Sequence, residues 1–143
     1  MIGLFLKDGK DVAAGRKTVV VLPRKEAIVG RAMIMYPISG ARQASAIATV
    51  LPPQEVDIVG FEAAEACHGI SQHVRKALWP TAEKFYLYSL VDVEPFQEPL
   101  PLPGEPGGRV RCDLPGIAVL RLVDRHNDPE DPTCLTCLWE EIA

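Results

Sequence analysis

Gly15-Arg16-Lys17-Thr18-Val19-Val20-Val21-Leu22-Pro23 is the stretch on which the fold turns. Thr18 to Leu22 is a short, continuous β-branched run. Such a run suits a strand buried on both faces. Pro23 lacks an amide hydrogen and ends the pairing. Upstream stand a glycine and two cations, so Lys17 sits where a charged segment enters the interior.

Working outward, Arg31 to Tyr36 (RAMIMY) reads as a second strand between Gly30 and Pro37. Ser39 to Gln43 is a mostly polar turn around Gly40. Ala44 to Leu51 alternates small and apolar residues and reads as a third strand, stopped by Pro52-Pro53. The period then changes. Phe61, Ala64, Ala66 and Cys67 fit one short helix broken at Gly69. Ser71 can cap a second, with Val74, Ala77 and Leu78 at helical spacing and Trp79-Pro80 closing it. Phe85 to Val93 (FYLYSLVDV) is the clearest strand of the chain. The proline-rich stretch at about 95–108 reads as a stiff extended loop, neither helix nor central strand. Arg109 to Cys112 and Ile117 to Val123 read as further strands. From Asp124 the tail carries six acids and one base, and Trp139 and Ile142 predict that its end docks back. Five or six strands with two helices inserted midway predict a small α+β β-barrel. A doubly wound sheet would place helices between successive strands throughout.

The 143 residues fit a single domain, and 48% are apolar, enough for a core without disulfide or metal. No apolar run approaches the ~20 residues that span a bilayer. The N-terminus lacks the basic start, long apolar centre and cleavage site of a signal peptide. A cytoplasmic protein without membrane partners is expected, with Cys67, Cys112, Cys134 and Cys137 as reduced thiols. The net charge of −4 hides a segregation. Residues 1–36 carry seven bases and three acids, hence +4; the rest carry eight bases and sixteen acids, hence −8. A local basic face on an acidic protein is therefore available.

With these elements in place, Gly15-Arg16-Lys17-Thr18-Val19-Val20-Val21 resembles the signature strand of ASCH domains, a branch of the PUA-like superfamily. Val29-Gly30-Arg31, Ala46 to Val50, Trp79-Pro80, Phe85 to Tyr88 and Val91 to Pro99 are similar to the segments that follow in that family, in the same order. The family motif is Gly-x-Lys-x-x-Glu-x-Arg. Gly15 and Lys17 match it, and its Glu and Arg positions fall on Val20 and Leu22. The resemblance implies RNA or modified-nucleoside recognition in a cleft beside the barrel. Small bacterial relatives that hydrolyse acetylated cytidine use a Lys and a Thr on this strand and a Glu near the inserted helix. Lys17 takes the place of that Lys, Glu65 lies near that of the Glu, and the Thr position again falls on Val20.

The residues themselves carry several readings. A desolvated Lys17 can act as base or nucleophile, or bind phosphate. Arg16, Arg24 and Lys25 bracket the same strand, and Arg109 and Arg111 would share a strand face. Together these are candidate phosphate contacts. Tyr36, Tyr86, Tyr88 and Trp79 are stacking candidates, with Trp79 and Phe85 favoured as core. Glu65 and His68, three apart, can pair along a helix for acid–base work. Cys67 reads as a small packed residue. Cys134-Leu135-Thr136-Cys137 is a CxxC without a second pair, so no metal site and no cofactor is expected. No Walker loop, GxGxxG, HExxH or GxSxG occurs. The expected function is an RNA or nucleoside binding module. The alternatives are a hydrolase using Lys17 and Glu65, and a protein-interaction domain working through the proline stretch and acidic tail.

Overall fold

The computed structural model describes residues 2–38, 41–102, 117–123 and 138–141. In chain order its elements are β1 (Ile2–Leu6), α1 (Gly9–Ala13), β2 (Val19–Leu22), β3 (Gly30–Ile38), β4 (Ala41–Val50) and β5 (Gln54–Asp57), then α2 (Ile58–Ala63), α3 (Glu65–His68) and α4 (Gln72–Leu78), and finally β6 (Lys84–Leu102), β7 (Ile117–Val123) and β8 (Leu138–Glu141). The strands form one sheet in the order β2-β6-β4-β3-β1-β7-β8, with β5 also on β6. All described pairs are antiparallel except β1 on β3. The result is a curled half-barrel with short helices, an α+β fold as the sequence predicts. Among the described residues no pairing joins β2 to β8.

The valine run behaves as a strand buried on both faces. Its residues alternate between two clusters. Val20 and Leu22 enter the barrel core with Leu4, Leu6, Ile34 and Tyr88. Val19 and Val21 pack under the helices with Phe61, Phe85 and Leu87. The partner strand follows the same alternation, because Val20 faces Tyr88 and Val21 faces Leu87 in register. Strand periodicity of two thus makes β2 and β6 the wall between barrel and helical layer.

On β4 Val50 and the small residues Ala44, Ala46 and Ala48 are fully buried. The alanines leave room for α1, which crosses β3 and β4 so closely that a Cβ on Gly9 would lie 2.5 Å from the Met35 carbonyl oxygen. The register slips between Ile34 and Met35 on β3, which brings Ser45 in as the extra residue of a bulge. Its buried hydroxyl donates to the Gly9 carbonyl at 2.8 Å. A second slip on β6 puts Asp92 at φ 49, and Arg31 fastens it by donating to the Asp92 carbonyl at 3.0 Å and to Glu94 at 2.8 Å.

Three expectations need correcting. Residues 95–102 of the proline stretch belong to β6 and pair with β4. The prolines are tolerated because β2 and β5 reach only residues 84–89, which leaves the other edge of β6 without a described partner there. On α4, Ser71 is the N-cap as expected, but the helix turns Arg75 inward and leaves Val74 exposed. Four elements, β1, α1, β5 and β8, had no counterpart in the sequence reading. The last of these pairs with β7 from within the acidic tail, so the chain does dock back there. Residues 103–116 and 124–137, with the remainder of the proline stretch, Arg109, Cys112 and the CxxC, lie outside the described residues.

Candidate nucleoside site

The site is built where α1, the head of β2 and the end of α3 meet. Helix α1 ends at Ala13, and two residues on, the chain turns at Gly15, whose φ of +78 suits glycine. The Asp11 carbonyl then accepts from the amides of Arg16 and Lys17, at 2.9 and 3.2 Å. The chain straightens into β2, with the Thr18 amide donating to the Cys67 carbonyl at 2.9 Å and the Leu90 amide to the Thr18 carbonyl at 2.8 Å. Lys17 is thereby drawn under α3 and is only 5% exposed. Its Nζ donates to the His68 carbonyl at 2.5 Å and lies 3.3 Å from Asp8 Oδ2. The expected desolvation of Lys17 is real, and a carbonyl and a carboxylate compensate it.

His68 is fully buried and stacked on Phe61, with ring centroids 4.2 Å apart. Its Nδ1 accepts the Ile70 amide at 2.9 Å, so Nε2 carries the proton and donates to the Phe61 carbonyl at 2.7 Å. Burial, with a smaller push from the Lys17 charge, holds the imidazole below its ordinary pKa. Both ring nitrogens are committed, so His68 has none to offer Glu65. The expected carboxylate–imidazole pair is not made, and His68 instead shapes the α3 end whose carbonyl receives Lys17. Glu65 opens α3 and is exposed, and Cys67 is exposed rather than packed. Val20 and Leu22 lie in the barrel core, 1% and 6% exposed, and present no polar group to the site.

The remaining cations flank β2. Arg16 is exposed and clasps Asp11 Oδ1 at 2.6 and 3.0 Å. Beyond the other end of the strand, Arg24 pairs with Glu26 at 2.8 Å, and Lys25 is exposed. That loop is held by Tyr88, whose hydroxyl accepts from the Glu26 amide at 2.9 Å and donates to its carbonyl at 3.2 Å. Tyr88 is therefore core and does not stack on a ligand. Tyr36 is buried and donates to Gln43 at 3.0 Å, and half-buried Trp79 packs on Phe85. Tyr86 is the half-exposed tyrosine. Its hydroxyl donates to Glu55 at 2.9 Å, and that bond raises its pKa. Sequence reasoning missed Asp8. Its signal was slight, one acid nine residues before Lys17 in a basic segment. Among the described residues no three His, Cys, Asp or Glu side chains gather as a metal set, and no helix is long and apolar enough to cross a membrane.

A curled mixed sheet with short helices between its fifth and sixth strands, and a lysine at the head of the second strand, make a small α+β half-barrel. More narrowly, its fold is like that of solved ASCH structures. The chain is similar to the crystal structure of ASCH from Zymomonas mobilis, at 18% identity and a TM-score of 0.57 over 66% of this chain and 68% of that one. Two single-substitution variants of the Zymomonas mobilis protein match at 17% identity, with TM-scores of 0.57 and 0.56, over 70% of this chain and 72% and 74% of theirs. No family model matches the sequence, and no curated protein does.

Proposed function

We propose that this ASCH-like chain is a single cytoplasmic domain that binds RNA or a modified nucleoside. The observation that carries the reading is Lys17, a buried ammonium held at the head of β2 beside the half-exposed carboxylate of Asp8. A buried charge is costly unless partnered, so a fold that keeps one at its rim has a use for the polar pair. Arg16, Arg24 and Lys25 supply exposed cations at the two ends of the strand, and Tyr86 a half-exposed ring. Their ion pairs with Asp11 and Glu26 are surface pairs, cheap to exchange for phosphate. Arg109 and Arg111 complete the proposed set. Neither the hydrolase nor the protein-interaction alternative gains an observation of its own.

Fluorescence anisotropy of labelled single-stranded RNA and matched DNA, titrated at low and physiological salt, tests the reading. Binding should weaken linearly in log salt. Neutralising Arg24 and Lys25 together (Arg24→Gln with Lys25→Gln) should flatten the slope by about 0.7 for each phosphate that these side chains no longer neutralise. Absence of binding at low salt would refute it.

A further inference from the structure

We propose that Asp8 reads the base, and that the pair Asp8–Lys17 selects a guanine edge; the inference rests on the nucleoside-binding reading above. Asp8 occupies the N-cap position of α1, yet its side chain caps nothing. An aspartate there ordinarily accepts an amide of the first turn. Here the carboxylate is turned toward Lys17 instead, with Oδ2 3.3 Å from Nζ, and Lys17 is its one side-chain partner among the described residues. The Asp8 side chain is 39% exposed, while that of Lys17 is 6% exposed. Beside it the chain turns through Gly69 at φ +70, where a Cβ would come within 3.9 Å of Oδ2. The absence of a side chain at that turn keeps this flank of the carboxylate clear.

The chemistry then narrows the ligand group. A carboxylate is an acceptor only, so whatever meets Asp8 must bring N–H or O–H donors. A phosphate is disfavoured, because Asp8 neutralises Lys17 and repels an anion, which leaves phosphate to the outer cations. Two parallel donors are bound best, as in carboxylate forks. Among the common bases only guanine offers a ring N–H beside an exocyclic amine, and its O6 lies next to them as the acceptor for a lysine N–H. Cytosine and adenine present one amine. Uracil presents one N–H between two carbonyls that Asp8 would repel.

The test uses the full chain and labelled oligouridylates carrying one central guanosine, inosine, adenosine, cytidine or uridine, read by anisotropy. The guanosine oligomer should bind tightest. Inosine lacks the exocyclic amine and should lose roughly tenfold through one missing bond to a charged group. Asp8→Asn should erase the guanosine preference while retaining the salt-dependent affinity common to all five, with its thermal unfolding midpoint recorded to confirm a folded chain. If all five bind the unaltered protein equally, or if inosine matches guanosine, base reading by Asp8 is overturned and RNA binding stands. If none binds, both readings fall together. The inosine comparison needs no variant, so a poorly folding Asp8→Asn leaves the outcome decided.

Discussion

Two residues near the site show how single groups set the stability of this fold. His68 is buried neutral, its ring held by Phe61 and Ile70. Burial lowers its pKa in the folded state, whereas the unfolded chain takes up a proton near the ordinary value of about 6.5. Its contribution is therefore fully present above about pH 6.5. It is lost as pH falls below that value toward the lowered folded one, at up to about 1.4 kcal/mol per pH unit. Urea midpoints between about pH 8 and pH 5 should show the slope, and His68→Gln should flatten it. A pH-independent difference between the two proteins would remove His68 as the cause. Gly9 acts through space. A Cβ there meets the Met35 carbonyl oxygen at 2.5 Å, which is backbone and cannot swing away. Gly9→Ala should cost about 1–3 kcal/mol by overpacking, visible as a lowered urea midpoint, although alanine favours helices. Asp8 was barely legible in the sequence for a related reason. Its meeting with Lys17 depends on α1 folding back over β3 and β4, and that close approach is made possible by the missing side chain of Gly9.

At the scale of elements, legibility followed apolar pattern and length. β2, β3, β4 and β7 are apolar runs bounded by proline, glycine or polar residues, and the predicted strands fall on them. β5, with the sequence QEVD, has no strand pattern of its own. It forms because β4 and β5 lie along one edge of β6 on either side of Pro52-Pro53, with Leu51 bonded to Ser89 and Gln54 facing Leu87. Tertiary context overrides propensity there. α4 was legible in position and misread in orientation. Its apolar positions pointed to Val74, while the buried position went to Arg75, 5% exposed with an unpartnered Nε. Arginine does not shed its proton, so the buried Nε is a donor of a charged group left without an acceptor. Arg75→Met keeps the unbranched stem and removes the charge. It should raise stability by about 1–2 kcal/mol, read as a higher urea midpoint at unchanged m. A lower midpoint would mean that the terminal guanidinium nitrogens contribute more than the buried Nε costs.

Across the whole molecule the exposed cations that flank β2 divide into two groups. Arg16 lies at the head of β2 and Arg24 with Lys25 just past its end. The four residues of β2 alone, at ~3.3 Å per residue, set the two groups more than about 10 Å apart. That exceeds the Debye length of about 8 Å at physiological salt, so they act on a ligand independently. A lone nucleoside cannot touch both, whereas a single strand of several nucleotides can. The site at Lys17 and Asp8, at the Arg16 end, would hold one base while the far cations hold the backbone that follows it. The two contacts then act as linked modules, and the second gains from effective concentration only when the linker spans the gap. Affinity should therefore rise sharply at an oligonucleotide length that bridges the two ends and plateau beyond it. Anisotropy on a length series of single-stranded RNA would show this. Arg24→Gln with Lys25→Gln should abolish the step and leave the affinity of the shortest oligomers unchanged. A smooth rise with length that survives those substitutions would instead place the backbone contacts elsewhere on the chain.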